Sequence, residues 1–300
     1  MFPDASFSAG AAGTTGAAFL KLAQAARAQA LGDAITAGAE GTDALFSNPA
    51  GLASLGPESP ADLSLSYNDL LETSYLGYAA YGRAFGRDGA IGADAIYFSQ
   101  AAMTRYNGQG DAVGSFQPND FAVALAYARR FQGFTLGGSV KMIHSSLDDV
   151  SGTGAALDFG AQAKSVCLLG DRPLDVGARF SNFGPPIKLG GASAPLPLSL
   201  AGGLLWHPTP AVNPSVDVHL PADQDPYVSL GVEANFWFDQ QKRKASLRVG
   251  YDQSHGRDSD GIGGVTAGAG LDLGAFRFDY AWDPYGDLGM QNRITLAFRF

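Results

Sequence analysis

The chain has 300 residues, 46% of them apolar and only 16% charged, with a formal net charge of −9 and a single cysteine, Cys167. The acidic balance excludes nucleic acid as a partner, since nucleic acid selects a basic face. One cysteine excludes an internal disulfide and a zinc site built on thiolates, and no run of about 18 apolar residues offers a membrane-crossing helix.

The first residues, MFPDASFSAG, carry an early acid and no basic region, so no signal peptide is read in them. If the protein is exported, its signal lies upstream or has been removed. Residues 1–60 do not alternate. GTTGAAFLKLAQAARAQALG predicts one amphipathic helical stretch, capped by Thr14 or Thr15 and ended by Gly32. Phe19, Leu20 and Leu22 give it an apolar patch, with Lys21 and Arg27 toward polar surroundings. In TDALFSNPAGLASLG, Pro49 pushes Asn48 out of the α region. Asn48 is therefore an N-cap, Pro49 the first helical position and Gly56 the stop of a short helix over 49–55.

From about Asp62 onward the period is two. FAVALAYARRF puts Phe121, Val123, Leu125 and Tyr127 on one face and four alanines on the other. Strands are predicted near 61–68, 73–85, 89–99, 119–131, 133–145, 153–165, 172–181, 197–207, 211–220, 226–238, 243–252, 262–273, 274–282 and 291–300. Most are close to the 9–11 residues that a tilted membrane strand needs. The polar face holds acids and bases inside strands, among them Lys141, Asp158, Lys164, Glu233, Arg248, Asp272 and Arg277. Unpaired buried charge is too costly for a dry core, so this face lines a polar lumen as a charge network.

Links alternate in length: short at 86–88, 132–133, 166–171, 208–210, 239–242 and around Gly274; long at 100–118, 146–152, 182–196, 253–261 and 283–290. Outer-membrane barrels show the same asymmetry. Aromatic residues collect at strand ends, with Phe131, Phe134, Trp206, Phe236, Trp237, Phe238, Phe298 and Phe300 toward the short turns. Tyr67, Tyr97, Phe98, Phe180, Tyr227, Tyr251, Tyr280 and Trp282 lie toward the long loops. Two girdles around an apolar band are what a bilayer selects. A soluble sandwich or propeller also alternates but has no reason to sort aromatics and loops this way. The expected fold is all-β: a transmembrane antiparallel barrel of about fourteen strands over 61–300, in the bacterial outer membrane.

Residues 1–60 are too few to bury their own apolar faces, so they form either a helical hatch inside the lumen, carrying Asn48, Pro49, Ala50 and Gly51, or a collar outside it. The chain ends NRITLAFRF. In a closed barrel the last strand pairs with the first. Leu296, Phe298 and Phe300 also resemble the C-terminal signal read by the barrel-insertion machinery, which makes that machinery and outer-membrane lipid the expected partners.

The stretch GTTGAAFLKLAQAARAQALGDAITAGAEGTDALFSNPAGLASL resembles the N-terminal signature of the PorV/PorQ family, itself FadL-like. SNFGPPIKLGGASAPLPLSLAGGLLWHP and the last two strands are similar to later segments of that family. Alanine and glutamine stand in AQAARAQALGDAITAG where the family often has glycine. The resemblance implies a fourteen-strand barrel with an N-terminal hatch. It also implies a component of type IX secretion whose outer loops bind secreted cargo or a translocon subunit. The FadL-like alternative is a channel that passes fatty acids or other hydrophobic solutes from an outer pocket, past the hatch, to a lateral opening.

No enzyme is predicted. His144, His207, His219 and His255 show no spacing of a nucleophile and its base, and Cys167 reads as a partly buried thiol at a turn. No metal or cofactor is predicted either. PADQDP and DPYGDLG hold the oxygen ligands of a divalent cation but read as solvated loops.

Overall fold

A computed structural model describes residues 9–57, 59–238, 243–258 and 262–300. The predicted link 239–242 with Lys242, and the end of the predicted loop 253–261 with Asp260, lie outside them. The strands are β1 Ala61–Asp69, β2 Tyr75–Phe85, β3 Gly89–Ser99, β4 Met103–Tyr106, β5 Ala112–Phe116, β6 Asn119–Arg130, β7 Thr135–Leu147, β8 Val150–Leu169 and β9 Arg172–Phe183. They continue as β10 Ile187–Leu189, β11 Ala192–Ala194, β12 Ser199–Trp206, β13 Val212–Pro221, β14 Tyr227–Trp237, β15 Lys244–Asp252, β16 Val265–Asp272, β17 Phe276–Pro284 and β18 Met290–Arg299. Fourteen of them close into one antiparallel barrel, all except the hairpins β4–β5 and β10–β11. The fourteen are the predicted strands. The hairpins fall inside predicted loops, where short runs carry too few alternations to register.

The alternation sets which face meets lipid. In β6, Leu125 is 65% exposed on the outside while Ala128 is fully buried on the inside. Leu65, Val140, Leu157, Leu204, Leu230 and Leu247 extend this outward belt around the wall. The seam is regular: Leu63 faces Phe298, Leu65 faces Leu296 and Tyr67 faces Ile294, and the Phe300 amide donates to the Ala61 carbonyl at 3.0 Å. Phe298 and Phe300 point outward.

Four expectations need correction. The predicted long loop 146–152 is a tight turn at residues 148–149, because β7 and β8 stay paired out to Leu147 and Val150. The predicted link 166–171 is mostly strand: β8 continues to Leu169, past the start of β7, so that Cys167 is exposed in a strand. Phe98 and Tyr227 belong to no girdle. Phe98 turns inward and stacks on Phe19, with ring centroids 6.3 Å apart, and Tyr227 stacks on the buried His219 at 4.6 Å. The predicted Tyr67 and Tyr97 do face outward, with Tyr75 between them at ring-centroid distances of 6.1 and 6.0 Å.

The predicted single helix from Thr14 to Gly32 is broken. A 3-10 turn, Ala18–Lys21, follows Ala17 in the left-handed region, the chain is extended at Leu22, and only α1, Ala26–Ala30, is helical. Thr14 and Thr15 cap nothing; the Thr15 hydroxyl donates to Asp223 of the loop after β13. The free amide at the start of α1 is satisfied by the barrel wall, since Ala26 N–H donates to Thr295 Oγ1 at 2.9 Å. Contacts with the surrounding wall, rather than local propensity, shape this segment. Gly32, at φ 62°, does end α1, and it lies so close to the Tyr251 backbone that no side chain fits there.

Most of residues 17–55 is buried inside the barrel. Phe19, Leu20, Leu45, Leu52 and Leu55 form the hydrophobic core of the molecule with inward wall residues such as Leu76, Tyr78, Ile96 and Ile143. The wall makes room with small side chains: Ala80, Ala90, Ala122, Ala126 and Ala128 face the same core. The core therefore sits in the lumen, and the barrel's own outward residues are left for lipid.

Candidate functional site

The Asn-Pro-Ala turn is the fixed point of the lumen. Asn48 has β-region backbone angles and its side-chain oxygen accepts from Ala50 N–H at 3.2 Å, the predicted N-cap of a 3-10 helix over Pro49–Ser54. The other end of the same amide reaches further than a cap requires. Nδ2 lies 2.8 Å from the Thr36 carbonyl, 3.1 Å from that of Ala161 on β8 and 3.3 Å from that of Ala178 on β9. One fully buried side chain thus ties two parts of the segment to two wall strands. Gly137 and Gly160 are cross-strand partners beneath it, and a Cβ on either would collide with Pro49 or Asn48. Ala50 and Gly51 are buried in the same seat.

The predicted charge network separates into clusters. Glu233 accepts from Arg248 Nε at 2.7 Å and from Arg27 Nε at 3.0 Å; Arg248 Nη1 donates to Asp279 at 2.6 Å. Arg277 Nε lies 2.9 Å from Asp279, and Arg277 Nη2 is held by both oxygens of Asp43, at 2.8 and 2.9 Å. This chain of six follows the inner face of β14–β17 and takes in Asp279, a charge the polar-face pattern also holds, together with Arg27 and Asp43 of the inner segment, which the pattern does not reach. Lys141 and Asp158, 3.1 Å apart, form a second buried cluster with Asn182. Lys164 and Asp272 join neither. Lys164 is 47% exposed near the short-turn mouth, 3.4 Å from Glu40 and 3.3 Å from Asp175, and Asp272 pairs with Arg299 at 2.9 Å. Asp272 is the last residue of β16, and Lys164 lies on the part of β8 that runs past the start of β7.

Among the described residues, five ion pairs join a charge of the inner segment to one of the wall or its loops. Lys21 pairs with Asp223, Arg27 with Glu233, Asp33 with Arg179, Glu40 with Lys164 and Asp43 with Arg277. Asp217 adds a backbone clamp by accepting from the amides of Ile35 and Thr36 at 3.1 and 2.8 Å. Burial pushes the Asp43 carboxyl up, and the Arg277 guanidinium opposes that shift. Burial works to lower Arg27, but Glu233 beside it more than offsets this and raises it.

Two chambers lie on either side of the segment. The outer one, about 360 Å³, is bordered by Leu20, Leu22, Ala23 and Phe46 from the segment and by Arg179, Ser181, Tyr227, His255, Tyr285 and Arg293 from the wall and loops. Burial and the Asp283 carboxylate push the Tyr285 hydroxyl up. Above the chamber the hairpin β10–β11 folds inward. Ile187 is buried against Gly154 of β8 and Gly16, and Gly16 N–H donates to the Pro195 carbonyl at 2.9 Å. Beside it the β8–β9 ladder slips between Leu157 and Phe159. Asn182 takes φ 61° there and its amide donates to Asp158 Oδ1 at 2.7 Å, while Phe180 and Phe183 stack against each other at 5.4 Å. The inner chamber, about 260 Å³, opens toward the short turns and is lined chiefly by charge.

The histidines are dispersed. His144 sits 3.1 Å from the Thr153 hydroxyl, His207 bridges Asn213 and Asp175, His219 stacks on Tyr227, and His255 stands 3.6 Å from Asp283. Among the described residues no group of three or more His, Cys, Asp or Glu is arranged to hold a metal ion.

A closed fourteen-strand barrel with an outward apolar belt, filled by its own N-terminal segment, is the architecture of an outer-membrane β-barrel. No protein-family model and no curated protein sequence matches the chain. Solved structures do match. The Pseudomonas putida toluene transporter TodX is 14% identical, with a TM-score of 0.60 over 92% of this chain and 98% of that one. The Ralstonia pickettii toluene transporter TbuX is 15% identical, with a TM-score of 0.59 and the same coverage. A FadL homologue of Pseudomonas aeruginosa is 10% identical, with a TM-score of 0.55, again over 92% and 98%. At such identity the likeness is one of fold. It shows the FadL-like fold and does not bear on the PorV/PorQ resemblance.

Proposed function

We propose that the chain is a FadL-like channel for apolar solutes across the outer membrane, with the outer chamber as the first binding place. The observation that supports this best is the chamber's floor. Leu20, Leu22, Ala23 and Phe46 turn apolar surface toward a cavity that hydrophobic burial elsewhere would have closed. A cavity of about 360 Å³ suits a small aromatic ring or part of an alkyl chain. The slipped β8–β9 ladder at Ser181 and Asn182 is the weakest part of the wall beside it, and a solute leaves sideways there into lipid. TodX and TbuX are toluene transporters of the same fold, which favours this reading over the secretion reading.

The test is uptake of radiolabelled toluene and oleate by cells that lack other FadL-like barrels. Cells producing the wild type are expected to take up one of them faster than empty cells, and Leu22→Asp or Phe46→Asp to lose most of that gain. Uptake no faster than in empty cells for both solutes overturns the proposal.

One feature favours a second reading, in which a PorV/PorQ-type barrel binds secreted protein. The hairpin β4–β5 stands clear of the barrel, exposing Met103, Tyr106 and Val113, and Arg105 ties it to Asp148. Pull-down from mild-detergent extracts decides it. Secreted proteins sharing a C-terminal domain, or a large translocon subunit, should copurify with the wild type and not with a variant lacking residues 103–116. A barrel carrying only lipid discards this reading.

A further inference from the structure

The two chambers are stacked along the barrel axis, and little chain separates them. Gln29, Gly32 and Asp33 border the outer chamber; Arg27, two residues before Gln29, borders the inner. The partition is therefore α1 and the turn after it. The inner chamber is no place for an apolar solute. Lys244, Arg248, Arg277 and Arg299 face it together with Asp62, Asp272 and Asp279. Burying hydrocarbon against such groups forfeits their hydration, so the route proposed above does not use this space. A charged, water-accessible chamber in line with the axis suits hydrophilic solutes instead.

In the partition, α1 buries alanines rather than large side chains. Residues 42–55 are anchored by the Asn48 amide, the glycine seat and the core leucines. At α1, Ala26 and Ala30 pack on Ala281 of β17, Ala28 joins the main core, and Leu31 and Gly32 lie against Gly231 and Gly250 of the wall. The rest of what fixes α1 is polar: Ala26 N–H on Thr295, Arg27 on Glu233, and Gln29 between Arg293 and Asp283. Water entering from either chamber can take the place of a polar partner, whereas stripping leucines from a core has no such replacement. The flanks stay pinned, Lys21 on Asp223 and Ile35 with Thr36 on Asp217. Residues 22–32 thus form a short bridge between fixed ends, the far one held also by Asp33 on Arg179.

From this juxtaposition we propose a second, axial pathway for small hydrophilic solutes and inorganic ions, gated by α1, with the Arg27–Glu233 pair as its latch. Glu233 keeps Arg248 as a partner when Arg27 leaves, so opening strands no lone carboxylate.

The experiment is conductance of the full chain in planar bilayers in potassium chloride. The wild type is expected to be mostly closed, and Arg27→Ala to raise the open probability by roughly tenfold or more, a shift of the size one lost ion pair can make in a two-state equilibrium. The control keeps Arg27→Ala, replaces Cys167 by Ser, and adds Ala26→Cys with Ala281→Cys, two positions that pack together. Oxidation should close this channel and reductant reopen it, with the barrel heat-modifiable throughout. Two results overturn the proposal: Arg27→Ala no more conductive than the wild type, or conductance that persists when α1 is tethered. Neither depends on whether toluene or oleate is taken up.

Discussion

Asn48 does the work of several residues, and its chemistry dictates what can replace it. Its carbonyl oxygen caps one turn while its amino group serves carbonyls on three other stretches of chain. Asn48→Asp keeps the cap and loses the donor; Asn48→Ala loses both. Each leaves buried carbonyls unpaired at about 1–3 kcal/mol apiece, so both variants should unfold at lower temperature in detergent, and Asp should not rescue. Gly160 tests the same seat from the wall. Gly160→Val would push Asn48 and Pro49 off β8, whereas a Cβ at Gly202 meets nothing within 4 Å. Limited proteolysis should cut the inner segment of Gly160→Val much faster than that of the wild type, and leave Gly202→Ala unchanged.

Among the elements, the hairpin β10–β11 lies beside the outer chamber, held by the buried Ile187, by Lys188 and Leu189 against Gly152 of β8, and by the adjoining Pro195 carbonyl on Gly16. Removing residues 187–194 should let a membrane-impermeant maleimide label Leu22→Cys in a Cys167→Ser background several-fold faster in intact cells; an unchanged rate would mean that other loops guard the chamber. The barrel strands were legible because each repeats a two-residue alternation many times, as β6 does from Phe121 to Tyr127. Hairpins of three to five residues offer no such repetition. Asn48 and Pro49 were legible because their cap is local in sequence. The helix predicted through Thr14–Gly32 failed for the opposite reason: its capping and breaks are set by Thr295, Asp223 and the backbone at Tyr251, all more than 200 residues away. The charge network was legible as a face and not as pairs. Arg27 and Asp43 complete it, but they sit in the inner segment, where alternation says nothing. One signal was there to be read: inward alanines and glycines on β6, β7 and β8 mark where the wall leaves room for something else.

At the scale of the whole molecule, lipid and the inner segment are the barrel's two solvents, and substitutions facing each should part company. Phe298 and Phe300 face outward beside the seam. Phe298→Ala with Phe300→Ala should reduce the fraction that becomes heat-modifiable in cells several-fold, while the fraction that does assemble melts close to the wild type. A large fall in melting temperature instead would make these rings structural more than assembly determinants. The seam itself has a kinetic consequence. Every other wall contact joins strands near in sequence or separated by one loop, but β1 and β18 pair across more than 200 residues. Closing so long a loop is the costliest step in chain entropy and gives no return until both strands are present. The inner segment precedes β1 and touches strands around the whole circumference. It must be enclosed before the ring shuts, because a finished wall leaves no gap through which fifty residues could be threaded afterward. Assembly is thus ordered like casting around a core: contents first, wall around them, and the join last.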